Sequence, residues 1–226
     1  LCFSTSYICS DFLEMPLFRR ALEIERKFYG SYNPELVLSL NNLASLLHEQ
    51  GKYAEAEQLY RQALEIGENH VGKDQPSLVT ILNNLGLLLI AVGEYADAEL
   101  LLRRALRICE KFHGSDHSKV AVVLNSLGEL FFNQGKNEEL ESLMRHVFDI
   151  NVSVFGFEHP NVALTLFNQG VLLKVQGRYE EAEPMFRRSL EIKEMKLGKE
   201  HPHTKITRKN LDDLLQKMQG EQQSSK

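Results

Sequence analysis

A stretch of 42 residues occurs four times in this chain, and this repeat constrains the fold more than any other feature. Its clearest copy opens at Pro34, and repeated addition of 42 leads to Pro76, Ser118, Pro160 and Pro202. Glycine also recurs every 42 residues, at Gly51, Gly93, Gly135 and Gly177. Self-similarity at a fixed period is typical of stacked repeat proteins. The sequence therefore predicts an array in which each unit buries surface mainly against its neighbours.

Each unit is predicted to contain two helices. The first begins at the proline, a residue favoured at the first helical position. It ends at the glycine, which adopts the left-handed conformation at low cost. The apolar residues of the first helix recur with helical spacing and form one face, as shown by Leu40, Leu43, Ala44 and Leu47. The predicted fold class is all-α, an α-solenoid of antiparallel helix pairs.

The register of the repeat sets the predicted boundaries. An irregular segment over 1–10 precedes a partial repeat over 11–33, full repeats over 34–75, 76–117, 118–159 and 160–201, a capping helix over 202–218 and a disordered tail over 219–226. Arg208 and Asp212 stand where the first unit has Leu40 and Ala44, which suits a capping helix with a polar outer face. Because residue 1 is not Met, we expect a fragment that lacks upstream repeats. We also expect the uncovered face of residues 11–29 to favour self-association.

Composition argues against several classes of function. The net charge of −5 gives no sign of the clustered basic face that nucleic-acid binding requires. The longest apolar run, from Leu85 to Val92, is far shorter than the roughly 20 residues of a membrane span. The three cysteines have no metal or redox spacing, and their low, odd number indicates a reducing, cytoplasmic compartment.

No set of residues points to catalysis. The sequence shows no Ser/His/Asp or Cys/His arrangement and no glycine-rich phosphate loop, so we expect neither an enzyme nor a cofactor. Three histidines recur in the turn before the first helix, at His117, His159 and His201. Because successive helices lie about 8–10 Å apart, a shared metal ion is a poor explanation. We predict a turn-capping role for these histidines.

The repeat resembles a known family. Within one unit, the residues Leu40, Leu43, Ala44, Tyr53, Ala56, Tyr60 and Ala63 resemble the tetratricopeptide repeat. The period of 42, the Leu-Asn-Asn-Leu-Ala core and the Gly-x-x-His-Pro turn resemble the longer variant found in kinesin light chains and nephrocystin-3-like proteins. This resemblance implies a protein-interaction module whose first helices line a concave groove. It does not identify which member of the class this is.

On a helical wheel, positions 41, 45 and 48 point away from the packed face, and positions 38, 42 and 49 flank them. Transposing these positions by 42 gives a row of amides alongside apolar side chains. The predicted groove residues are Asn41, Asn42, Asn83, Asn84, Leu87, Ile90, Asn125, Phe132, Phe167, Asn168, Val171, Lys174 and Asn210. Asparagine is a poor interior helix former, and its recurrence at one place therefore suggests a role.

Two hypotheses account for this row. In the first, the groove binds an extended segment of a partner protein, with amides meeting its backbone and apolar residues taking its anchors, as a cargo or adaptor scaffold would. Under this hypothesis the groove lacks the basic cluster expected for a strongly acidic ligand. In the second, the asparagines bond within the array, and the chain is a structural or sensor array of a larger signalling protein whose own segment fills the groove.

Overall fold

The computed structural model describes residues 11–224 and the side chains of residues 15–220. The predicted irregular segment 1–10 lies outside the described residues. Within residues 11–224 every regular element is a helix. These are α1 (Asp11–Tyr29), α2 (Leu36–Glu49), α3 (Tyr53–Val71), a short 3₁₀ turn (Pro76–Leu78), α4 (Val79–Val92), α5 (Tyr95–His113), α6 (Ser118–Gln134), α7 (Asn137–Phe155), α8 (Pro160–Val175), α9 (Tyr179–Leu197) and α10 (Pro202–Ser224).

The helices form two compact units, an N-terminal unit over Cys2–Asn137 and a C-terminal unit over Glu138–Lys226. In the N-terminal unit α2 packs on α3 and α4 packs on α5, and α4 also contacts α2 and α6. In the C-terminal unit α9 packs on both α8 and α10. The predicted all-α architecture of packed helix pairs is confirmed within residues 11–224.

The observed starts of the first helices agree with the predicted proline in some repeats and differ from it in others. Helices α8 and α10 begin at Pro160 and Pro202, as expected. Pro34 instead lies in a turn, where the Asn33 side-chain oxygen accepts a hydrogen bond from the Glu35 N–H at 3.0 Å and α2 starts at Leu36. The backbone N–H of Leu36 bonds the Asn33 carbonyl, a three-residue step that tightens this first turn.

Glycine ends the first helices as the repeat predicts. Gly93 follows α4 with φ of 85° and Gly135 follows α6 with φ of 69°, both in the left-handed region. At both sites the glycine N–H bonds a carbonyl of the last helical turn. Only glycine adopts this backbone at little cost, so the periodic glycines fix where each first helix stops.

Small residues let the two helices of a pair approach closely. A Cβ added to Gly86 would lie 2.7 Å from Leu102 Cγ, and one added to Gly170 would lie 3.0 Å from the Phe186 ring. Leu102 and Phe186 are fully buried against these glycines. The interaxial distance of packed helices depends on side-chain size, so these contacts set the spacing within the α4–α5 and α8–α9 pairs.

The capping helix is longer than its sequence predicts. Helix α10 continues to Ser224, so residues 219–224 are helical and the predicted end at Met218 is wrong. The added residues include Glu221, Gln222 and Gln223, which are good helix formers. Each further residue of a formed helix adds one backbone hydrogen bond, which explains why a polar segment continues the helix. Residues 225 and 226 lie outside the described residues.

Helix α1 exposes an apolar face, part of which its counterparts bury. Ile24 is 56% exposed, whereas Ile66 at the same repeat position in α3 is 2% exposed. Phe28 and Leu17 on the same helix are also exposed. The uncovered face of residues 11–29 is therefore present among the described side chains, while self-association through it stays a prediction.

Candidate functional site

The first helices of the N-terminal unit share one face whose side chains are mostly exposed or half-buried. We call it the first-helix strip, and it consists of Leu38, Asn42, Ser45 and Glu49 on α2 and of the residues 42 and 84 positions later on α4 and α6. Leu38 is 69% exposed and Val122 is 58% exposed, and Thr80 lies exposed between them in the repeat register. The spacing of three or four residues along each helix places these side chains on one side.

The amides that were predicted to line a groove occupy two environments. Asn42 and Asn125 are exposed, whereas Asn41 and Asn83 are buried. Asn84 is half-buried, and its side-chain N–H donates to the Asn41 side-chain oxygen at 3.2 Å. This bond joins α2 to α4, so one pair of the asparagine row ties neighbouring repeats together.

The next repeat does not reproduce that amide pair. The position equivalent to Asn84 is Ser126 on α6, whose hydroxyl bonds the Val122 carbonyl of its own helix at 3.4 Å. The side-chain oxygen of Asn83 is buried and has no hydrogen-bond partner among the described residues. The shorter serine side chain explains why the inter-helix bond is missing here.

The apolar candidates also divide by burial. Ile90 and Phe167 are buried, and Phe167 belongs to a core cluster with Phe186, Leu211 and Leu214. Leu87, Phe132 and Val171 are half-buried. The half-buried residues keep apolar surface available to a ligand. The ring of Phe167, in contrast, is packed in the core of the C-terminal unit.

In the C-terminal unit, the candidate residues come from α8 and α10. Asn168 is buried and its side-chain oxygen lacks a partner among the described residues. Lys174 donates from Nζ to the backbone oxygen of Asn210 at 3.3 Å, which ties α8 to α10. Beside them, Leu164 and Val175 on α8 are exposed.

Burial shifts the pKa of two residues, His48 next to the first-helix strip and Glu129 on it. Desolvation lowers the pKa of His48, so the neutral imidazole is favoured at the end of α2. Desolvation raises the pKa of Glu129 on α6, which favours its neutral carboxylic acid. Along the described first-helix strip no Lys or Arg occurs. The strip therefore offers few full charges, and those it has are acidic.

The recurring histidines cap helices. Each imidazole Nδ1 accepts a hydrogen bond from the backbone N–H two residues later, at 3.1 Å for His117 and His159 and at 3.2 Å for His201. Their predicted role as turn caps is thus observed. Within residues 15–220 no group of three His, Cys, Asp or Glu side chains is arranged to hold a metal ion.

The exposure of Leu38 and Val122 was not singled out from the sequence. Sequence reasoning placed position 38 at the flank of the groove without assigning it a role. A signal was available, because the residues at this repeat position form an apolar or β-branched set. They are Leu38, Thr80, Val122, Leu164 and Ile206, of which the first four are exposed.

Comparison with known proteins agrees with this architecture. The family model of the tetratricopeptide repeat matches residues 16–69, 77–150 and 119–195. BtubC (BKLC) from P. vanneervenii is 25% identical, with a TM-score of 0.77 over 92% of this chain and 84% of that one. Two crystal structures of nearly identical TPR-like repeats from Podosopora anserina, described as a kinesin light chain, are each 22% identical with TM-scores of 0.72. They cover 85% of this chain and 91% and 92% of theirs.

A search of curated protein sequences gave no match. None of the helices in residues 11–224 combines the length and apolar character that a membrane crossing requires. The family match spans most of the chain, and the paired helices with glycine at each helix junction agree with it. The chain belongs to the tetratricopeptide repeat family, and its fold is similar to that of the kinesin light chain structures.

Proposed function

We propose that this chain is a non-catalytic, cytoplasmic interaction module that binds an extended peptide segment on the first-helix strip. Tetratricopeptide repeats are generally protein-interaction modules. The observation that carries the proposal is the exposure of Leu38 and Val122, at 69% and 58%, in the same register of two first helices. Covering such apolar side chains with a ligand removes them from water and lowers the free energy.

The spacing of the helices defines the ligand. Neighbouring packed helices lie about 8–10 Å apart, so two steps from α2 through α4 to α6 cover roughly 16–20 Å. An extended chain advances about 3.3–3.6 Å per residue. Leu38 and Val122 therefore suit two apolar anchors about five or six residues apart. Asn42, Asn84 and Thr80 supply polar groups to the peptide backbone between them.

Charge further restricts the ligand. Glu49 is exposed on the strip. An acidic peptide would meet its carboxyl group with no cation on the strip to offset it. We propose a neutral or basic segment, because opposite charge favours the encounter and like charge disfavours it.

The test is a display library of random peptides of about twelve residues, long enough to cover the three helices. We expect enriched peptides to carry two apolar anchors at the stated spacing. The double variant Leu38→Asp/Val122→Asp should weaken their binding by at least about tenfold, since it places charges against apolar anchors. These side chains are exposed, so the helicity should not change.

Leu100→Asp is the matched control. Leu100 is also 69% exposed but lies on α5, a second helix. This variant should bind like the parent chain. Equal affinity of the double variant and the parent, or equal weakening by Leu100→Asp, would refute the first-helix strip as the binding surface.

A further inference from the structure

The C-terminal unit contains a cavity of about 300 Å³ between α7, α8 and α9. Its walls are mainly apolar and include Met144, Phe148, Leu166, Leu172 and Met185. Gln169 contributes an amide to the same wall. Ligand sites are typically concave and apolar with a few placed polar groups, and their volumes start at about 300 Å³. This cavity is formed by other residues than the first-helix strip.

A change at one repeat position helps to explain why the cavity exists. Gln169 stands where the other units have Leu43, Leu85, Leu127 and Leu211. Those four leucines are buried, and Gln169 is only half-buried. Its side-chain N–H donates to the backbone oxygen of Met144 at 3.2 Å. The amide is thus held towards α7 instead of filling the space that a leucine fills elsewhere.

At a second repeat position, the residue in this unit is likewise less fully buried than its counterparts. Met144 on α7 is 9% exposed, while Tyr60 and Phe186 at this position are at most 1% exposed. Methionine is unbranched and polarisable, and it adapts to irregular apolar partners. Met144 and Met185 therefore give the cavity walls that can adjust to an incoming group.

The mouth of the cavity has balanced charge. Arg178 bonds Glu141 at 2.8 Å and Glu181 at 2.7 Å, and Arg145 lies 3.6 Å from Glu141. Two cations and two anions leave no net charge to attract a charged ligand. The Arg145 and Glu181 side chains are 72% and 59% exposed, so the mouth opens to solvent.

We propose that this cavity binds one large, uncharged apolar side chain of a protein partner. Its volume lies at the lower end of the range for ligand sites, which suits one large side chain such as that of phenylalanine. A free molecule of this size would remain partly in water at the open mouth. A side chain carried by a polypeptide would be covered by the chain that presents it.

The test uses N-acetylphenylalaninamide as the probe and the methionine methyl groups as reporters. The described methionines include Met144 and Met185 in the cavity and Met195, which is exposed outside it. We expect saturable changes in the ¹³C-methyl signals of the two cavity residues and none at Met195. The small size of the probe limits its dissociation constant to the order of millimolar. N-acetylalaninamide should cause no change at the same concentration.

Met144→Phe copies Phe186 with a side chain larger than methionine and should fill part of the cavity. We expect it to fold normally and to weaken probe binding by about tenfold or more, with Met185 as the remaining reporter, since a filled pocket excludes the probe. Gln169→Leu, which restores the leucine of the other units in place of the amide held towards α7, should weaken binding in the same direction. Gln58→Leu is the control, because Gln58 is exposed on α3 and its counterpart in the next repeat is Leu100.

Each alternative result overturns the proposal. Absence of saturable signals at Met144 and Met185, or unchanged affinity in Met144→Phe, would show that the cavity is not a binding site. Tighter binding of octanoate than of the capped phenylalanine would assign the cavity to a free apolar acid instead of a side chain. None of these outcomes depends on the first-helix strip, so the two proposals fail separately.

Discussion

Lys193 on α9 donates a hydrogen bond from Nζ to the Thr207 hydroxyl on α10 at 2.8 Å. Lys193 is only 5% exposed, and its ammonium also lies 4.4 Å from the centre of the Phe167 ring on α8. Burying a charge is costly unless it is compensated, and the hydroxyl and the ring face both compensate it. Three helices of the C-terminal unit thus meet at one ammonium group.

The same two positions vary together within the chain. One repeat earlier, Asn151 donates to the Thr165 hydroxyl at 3.0 Å. Two repeats earlier, the positions hold Cys109 and Val123, which are both buried and apolar. A polar residue on the second helix therefore occurs with a threonine on the following first helix. Pairing of this kind satisfies buried polar groups across the junction.

Thr207→Val should loosen the attachment of α10. Valine keeps the shape of threonine but cannot accept from Lys193, and losing a hydrogen bond to a charged group costs about 1.5–3 kcal/mol. Native-state amide exchange in α10 should accelerate by about ten- to one-hundredfold. Thr165→Val is the matched comparison, and its smaller expected cost of about 1 kcal/mol reflects a neutral donor. Equal effects of the two variants would contradict this account.

The histidine cap at His159 should stabilise the start of α8. Its Nδ1 accepts the Asn161 N–H at 3.1 Å, and its ring stacks on Phe155 at 4.4 Å between centroids. His159→Ala removes the acceptor and should lower the free energy of unfolding by about 0.5–2 kcal/mol. His159→Asn keeps an acceptor without the ring. Urea unfolding should place Asn between the parent and Ala, and an Asn variant as unstable as Ala would refute the cap.

His48 should make stability depend on pH. Burial lowers the pKa of His48 below its ordinary value of 6.5, so the unfolded chain binds a proton at this site more readily than the folded chain. Stability then rises with pH wherever the unfolded state binds more protons. The contribution of His48 is complete above the unfolded pKa and is lost as pH falls through the lower folded value. Unfolding midpoints in urea should be compared at about pH 7.5 and pH 5.5, which lie on either side of the unfolded value.

His48→Gln should reduce the difference between those two midpoints, because glutamine does not titrate. The other histidines remain in this variant, so part of the pH dependence should persist. An unchanged difference would show that His48 does not contribute to it.

The hydroxyl groups of Ser45 and Tyr60 bond each other, and we expect the loss of the Ser45 hydroxyl to cost more stability than the loss of the Tyr60 hydroxyl. The two oxygens are 2.8 Å apart, Tyr60 is almost fully buried, and burial raises the pKa of its phenol. Ser45→Ala leaves the phenol without this partner and should cost about 1–3 kcal/mol. Tyr60→Phe removes the buried hydroxyl, and Ser45 keeps its bond to the Asn41 backbone oxygen at 3.0 Å. Thermal unfolding should find Tyr60→Phe the more stable variant, and the opposite order would contradict the assignment.

The repeat register predicted the fold because packing and backbone geometry act locally. Gly93 and Gly135 adopt the positive φ that their position at a helix end requires. Leu40 and Leu82, one repeat apart, are both fully buried. A periodic arrangement of such residues specifies one helix pair, and repetition specifies the stack.

The candidate site was predictable only in part, since a helical wheel gives the direction of a side chain and not its neighbours. The wheel placed Asn41 and Asn42 side by side, yet Asn41 is buried against α4 and Asn42 is exposed. The exposure of Leu38 and the depth of Phe167 likewise depend on how far the adjacent helices extend over them. Periodicity alone does not contain that information.

The sequence by itself determined the helices, their pairing and the glycine turns between them, because these follow from leucine spacing, small residues at crossings and glycine at turns. The tertiary structure decided which amides bond within the array and that a cavity opens beside Gln169. The physical reason is that hydrogen bonds and cavities depend on differences of a few tenths of an ångström in the distances between side chains of different repeats. Those distances arise only when the helices are packed together.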